Sequence, residues 1–335
     1  MEGNSELPKP QPLTKERLRP EGQELGAMDS VPTYREKGIR NSEVAIKIVY
    51  NKHRSEEETK GLERLYKNTD VFIPEVFGWT PDYLENLQRL SNGDLTPDEL
   101  LNLMGTIDPN ERAKDESLFR LIHGKRKAIA IVDLPYEHPL WKRIVENKFP
   151  EIKFGPDFVR TLKSVREHNQ EFASLQLERE DYMLEQVQQL TQNLKNIDSK
   201  LKKKENINVL MTIGSGHEQF PDKLRNHFQS VKEASITPRV YLYNEEASRK
   251  QMNGIHVNDE LLIRVLAERV LSYDKNKTFT TNDPVRDASL IREYISRFSF
   301  DELKDMFEHA SDQMEWASLF KQGFNNKLKV PAAAK

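Results

Sequence analysis

The chain of 335 residues contains no cysteine. That absence excludes a disulfide scaffold, a thiolate nucleophile, a Cys-ligated zinc and a Cys-bound iron–sulfur cluster. Any metal must be held by the 8 His and the carboxylates. No run of residues approaches the ~20 apolar positions that cross a bilayer. Met1 to Arg40 has no apolar stretch of the kind a secretory signal carries. Nor is there an excess of one charge: 51 basic against 54 acidic side chains leave a net charge of -3. So balanced a chain has no overall field that draws it to nucleic acid or an anionic membrane, and neither is expected as a partner. These absences predict a soluble, cytoplasmic protein. What is present is bulk: 15 Phe, 10 Tyr and 3 Trp can fill a core, in one large domain or two of medium size.

Residues 1–41 hold Pro8, Pro10, Pro12, Pro20 and Pro32 among mixed charges. Such a segment buries too little to offset its ordering entropy, and the reading is a flexible arm. An α/β domain is expected over 42–255 and a helical extension over 256–330, ahead of a frayed VPAAAK end. The β-branched run Val44–Tyr50 reads as a buried strand, Glu56–Asn68 as a helix and Val71–Glu75 as a second strand. That order favours a parallel pair with the helix across it. Further helices are expected around 82–90 and 97–104, and a strand over 127–132 ending at Asp133. A long helical zone runs from Pro156 to Lys204, with a break expected near Asn169. Within it Met183, Val187, Leu190, Leu194, Ile197 and Leu201 alternate four and three apart. The stripe suits either a coiled-coil homodimer or a helix lying on its own sheet. Asn208–Ile213 reads as a strand, Leu224–Val231 as a helix, Arg239–Tyr243 as a strand, and everything after Asn258 as helical, with Asp283-Pro284 opening one helix. The expected fold is α/β (or α+β): a mixed sheet from two related strand–helix–strand halves, with a long central helix and a C-terminal helical cap.

Chemistry gathers at strand ends. Gly214-Ser-Gly-His217 follows a strand, where Gly214 and Gly216 would let the backbone turn sharply and approach a ligand. Ligands of α/β sheets bind outside the carboxyl ends of strands, so His217 stands where a functional His would stand. His53 follows the first strand, Glu75 ends the second and Asp133 ends the next. A surface or hydrogen-bonded His and turn-closing carboxylates are the plain alternatives. The glycines form neither a dinucleotide fingerprint nor a P-loop, and Gly-x-Ser-x-Gly is absent.

These residues resemble the TraB/Tiki group and its erythromycin-esterase-like and ChaN-like relatives. That group has a Gly-x-x-His turn, a strand-end Glu, an Arg-(Asp/Asn)-x-x-Met helix and a second Gly-x-x-His turn. Here the second turn is complete in Gly214–His217, and Glu75 matches the acid. Arg179-Glu180-Asp181-Tyr182-Met183 matches the helix, with Glu180 in the Asp position. The first turn keeps His53 but has Tyr50 where Gly is expected. The resemblance spans about residues 44–243. It implies a hydrolase of amide or ester bonds acting on a small molecule or peptide, with His53, Glu75, Arg179 and His217 as catalytic residues; Asp133, Gly214 and Gly216 are expected to bind the ligand from their places at strand ends. His53, Glu75 and His217 could hold one divalent ion (Mn, Co, Zn or Fe), which would activate water. In the esterase-like mode no metal is used, and a His acts as general base. The alternative is a non-catalytic ligand- or protein-binding protein in which Tyr50 fills the site. Arg179 suits a developing oxyanion or, equally, an ion pair with Glu75 or Glu178.

Overall fold

Strands of β-branched and aliphatic residues buried on both faces call for a parallel sheet between helical layers. A computed structural model describes residues 41–50, 56–105, 109–146, 150–154, 157–197, 200–236, 241–272, 284–310 and 313–329. All of these belong to one compact unit spanning Ile39–Lys335. The sheet comprises β1 (Asn41–Tyr50), β2 (Val71–Ile73), β3 (Ala128–Ile129), β4 (Ile207–Ile213) and β5 (Phe228–Ser235), in the order β3-β2-β4-β1-β5. Every ladder is parallel, so the mixed sheet expected from sequence is replaced by one in which all five carboxyl ends share an edge.

Alternation along the strands sends side chains to two different cores. On one face Val49, Phe72, Ile129 and Leu210 meet α1 (Glu56–Lys67), α2 (Pro81–Asn92), α3 (Pro97–Met104) and α4 (Pro109–Ile122) through Leu62, Leu87, Leu100 and Phe119. On the other, Ile46, Ile48, Ile73, Met211 and Ile213 meet α6 (Phe158–Ile197) and α7 (Phe220–His227) through Met183, Val187, Leu194, Phe220 and Leu224. A short helix, α5 (Pro139–Val145), precedes α6. The chain thus leaves β2 towards one face and β4 towards the other, although the two strands are neighbours. Such a reversal opens a crevice between their carboxyl ends.

α6 is continuous over 40 residues, and Asn169, where a break was expected, is fully buried within it. Its heptad stripe lies on the chain's own sheet: Met183, Val187 and Leu194 are buried there, Leu190 packs beside them, and Leu201, in a short 3-10 turn beyond the helix, joins the same core. The face offered for a coiled-coil dimer is therefore covered from within. The first turns of α6 enter a third core instead. There Phe158, Leu162 and Val165 pack with α8 (Tyr243–Met252), α9 (Asp259–Ser272), α10 (Pro284–Ser296), α11 (Phe300–Glu308) and α12 (Gln313–Lys329). Tyr243 and Ala247, read from sequence as part of the α/β region, share that apolar cluster.

Three local expectations fail. The helix over 224–231 stops at His227, and Phe228 opens the edge strand β5, of which only Phe228 is buried. Tyr243 starts a helix rather than ending a strand, and 237–240 lie outside the described residues. Asn41, assigned to the arm, already belongs to β1. Residues 1–40, the VPAAAK end and Asp283 also fall outside the description. Among the described residues no helix is long and apolar enough to cross a membrane.

Candidate active site

The crevice between β2 and β4 gathers most of the strand-end residues. The backbone N–H of Glu75, two residues beyond β2, donates to Thr212 Oγ1 on β4 at 3.2 Å, which holds the segment against its neighbour. A Cβ at Gly214 would stand 3.2 Å from Glu75 Oε2 and 3.3 Å from Oε1, so glycine lets the carboxylate lie against the turn. Neither Gly214 nor Gly216 is left-handed, and a Cβ at Gly216 meets nothing within 4 Å. Close approach at Gly214, rather than a sharp turn at either glycine, is what the structure requires. The turn is anchored on α8, where Ser215 Oγ donates to Glu245 Oε1 at 2.9 Å and Arg249 Nε donates to Glu218 Oε2 at 2.6 Å.

His217 is 1% exposed, with Nε2 lying 3.2 Å from Glu75 Oε1. Arg179 reaches in from α6. Its Nη2 donates to the same Glu75 oxygen at 3.3 Å and to Asp133 Oδ2 at 2.5 Å, while Nε donates to Asp133 Oδ1 at 2.8 Å. The guanidinium also stands 4.7 Å above the Phe77 ring. Burial works against its charge, but the Asp133 and Glu75 carboxylates outweigh burial and raise its pKa, so it remains fully ionised. Asp133 is 1% exposed, and its Oδ1 also accepts from the Leu134 N–H at 2.8 Å. It serves as a buried counter-ion and turn closer, shut off from any bulk ligand. Glu75, with 17% of its side chain exposed, is the member solvent reaches best.

Two charged residues of this cluster were not among the expected site residues, although Glu180 was noted in the helix motif. Glu180 is fully buried, with Oε1 3.9 Å from His217 Nδ1 and Oε2 3.5 Å from Lys223 Nζ on α7. Burial pushes its pKa up, against the pull of His217 and Lys223. A signal for it was available. Four consecutive charges, Glu178 to Asp181, span most of a helical turn, so any helix covered on one side must turn at least one of them inward. Glu178 faces outward to Arg143 and Asp181 is exposed, whereas Arg179 and Glu180 point in. Lys223 had no comparable signal.

Tyr50 does not fill the crevice. Its ring belongs to the core between the sheet and α7, and its hydroxyl donates to Glu233 Oε2 on β5 at 3.0 Å. His53 lies outside the described residues. Among the described residues no group of three or more His, Asp or Glu side chains could hold a metal ion. Glu75 and His217 are turned towards each other, and the Arg179 cation already sits on the carboxylate that a metal would need. The described donors therefore do not fit a divalent ion.

No family model matches the chain, and neither does any curated protein or solved structure.

Proposed function

We propose that the chain is a cytoplasmic hydrolase of ester or amide bonds, working as the esterase-like members of the group it resembles do, with Glu75, His217 and Arg179 as its machinery. The observation that carries this reading is the hydrogen-bonded contact of all three at the crevice between β2 and β4, whose connections leave towards opposite faces. Glu75 is the solvent-facing member. A water beside it would lose its proton to the Glu75–His217 pair as it attacks a carbonyl carbon, and the pair would return that proton to the departing alcohol or amine as the C–O or C–N bond breaks. The Arg179 charge, fixed by Asp133, is preorganised for the negative oxygen that develops. No step is routed through a metal, since the described donors do not fit one.

The test is a panel of p-nitrophenyl esters and anilides, assayed on the full chain with and without chelator. Turnover that survives chelation and falls by about 10²–10⁴-fold in Glu75→Gln supports the proposal. Absence of turnover on every substrate, or wild-type rates in both Glu75→Gln and His217→Ala, would sink it. One observation favours a second reading, a non-catalytic binding protein: Arg179 is already saturated by two carboxylates, and His217 is almost wholly covered. Ligand binding that persists unchanged in Glu75→Gln, without turnover, would favour that reading.

A further inference from the structure

The turn that carries His217 is not fixed by its own backbone. Within it the His217 N–H donates to Gly214 O at a long 3.4 Å, and the exposed Gly216 has open space beside it. Three side chains of this segment are instead clasped by α8. Ser215 Oγ donates to Glu245 Oε1 at 2.9 Å, and Gln219 Nε2 donates to the Met252 carbonyl at 2.5 Å. Between them Arg249 donates to both oxygens of Glu218, from Nε at 2.6 Å and from Nη2 at 2.5 Å. Positions 245, 249 and 252 are four and three apart and so share one helix face. At about 3.6 residues per turn, Tyr243 and Ala247 lie on the opposite side, where both are buried in the helical core.

The clasping face is itself held in place. Glu245 Oε2 accepts from the Leu242 N–H at 2.8 Å, so the carboxylate that holds Ser215 also caps its own helix. The Arg249 guanidinium lies 3.9 Å from the centre of the Tyr241 ring, and its two-pronged pair with Glu218 fixes direction as well as distance. The start of α8 is tied to α9 through Glu268, and Arg292 on α10 donates to Tyr241 O at 2.6 Å and Glu246 Oε2 at 3.0 Å. His217 stands among the clasped residues, yet its Nε2 lies 3.2 Å from Glu75 Oε1. That contact is already near the outer limit of a hydrogen bond, so a shift of the turn by about 0.5 Å would break it. We infer that the α8 face built from Glu245 and Arg249 is the positioning element for His217, which makes the C-terminal helices a working part of the site. The kinetic consequence rests on the proposed hydrolysis, whereas the placement of the imidazole does not.

The test compares ring signals of isotope-labelled histidine in the full chain by NMR, with His217 identified by its loss in His217→Ala. Arg249→Met should move the His217 signals. It should also lower kcat on the best p-nitrophenyl ester about tenfold, with KM unchanged. Ser215→Ala, which removes a single side-chain hydrogen bond, should move the signals by less and secures the test if Arg249→Met does not fold. Leu100→Ala on α3 is the control: it opens a cavity in the core on the other face of the sheet and lowers the melting temperature, but should leave kcat and the His217 signals as in wild type. The inference is overturned if the signals of Arg249→Met and Ser215→Ala coincide with wild type, if Leu100→Ala moves them as far, or if they move while kcat holds. A wild type that turns over no ester defeats the hydrolase reading instead, and the ring signals still decide the positioning.

Discussion

At its amino end α6 presents Phe158, Leu162 and Val165 to an apolar helical core; further along the same helix, Arg179 and Glu180 enter the crevice at the edge of the sheet. The first region is filled by large rings, with Phe298, Trp316 and Phe320 all buried and stacked at centroid distances of 4.7 to 6.0 Å. Burying such surface is favourable in itself, by about 25 cal/mol for each Å². The second region buries formal charges, whose lost hydration is only offset when partners are well placed. One helix therefore carries a stretch that stabilises the fold beside a stretch the fold must sustain. Charges kept in so unfavourable a setting are the ones to examine for chemistry.

The largest effects should come from breaking either side. Asp133→Ala leaves the Arg179 guanidinium with only Glu75 and should cost about 3–5 kcal/mol in denaturant unfolding. Trp316→Ala should cost a similar ~3–5 kcal/mol through the cavity it leaves. The regions should part company on repair: Arg179→Met combined with Asp133→Leu should restore most of the lost stability, because the ion pair is exchanged for apolar contact. If the double variant is less stable than either single one, the contrast drawn here is wrong.

A smaller effect tests the helical side alone. Glu268 on α9 accepts from the N–H groups of Tyr243 and Asn244 at the start of α8, and burial pushes its carboxyl up to about 7. The folded chain therefore holds this proton more firmly than the unfolded chain does. The contribution is fully present below pH ~4.5 and is lost as the pH rises through ~7, a change of about 3 kcal/mol. Burial raises Glu180 in the same direction, so it adds to the trend. Melting temperatures measured across this range should show a shallower fall in Glu268→Gln. Smallest of all, Thr212→Val removes the acceptor for the Glu75 N–H. It should cost about 1 kcal/mol in stability and lower any esterase activity through misplacement of the carboxylate.

The sequence is legible where burial is periodic. The runs at 44–50 and 207–213 are alternately committed to two cores, and their β-branched character states as much. The helix over 97–104 has both its N-cap, Thr96, and its terminal glycine, Gly105, written in the chain. β5 was hidden because it is an edge strand: its pattern is mostly polar, and pairing with β1 rather than burial holds it in place. α4 and α5 went unassigned beside their better-patterned neighbours. In the site, Glu75, Asp133, Arg179 and His217 were legible because strand ends and one short motif marked them. Glu180 could have been suspected from the run of four charges on a covered helix, but its partner Lys223 could not, because no spacing rule encodes a contact between two helices that touch only after folding.

The length of α6 has a further consequence. At ~1.5 Å per residue its 40 residues span about 60 Å, and the same rod completes both the sheet core and the helical core. Neither core can melt without stripping one side of the other's central element. Cutting the chain at the apparent boundary near residue 255 would strand Phe158, Leu162, Val165, Tyr243 and Ala247 in water. The described body should accordingly unfold in a single transition, and its two halves should not be expressible as separate soluble pieces.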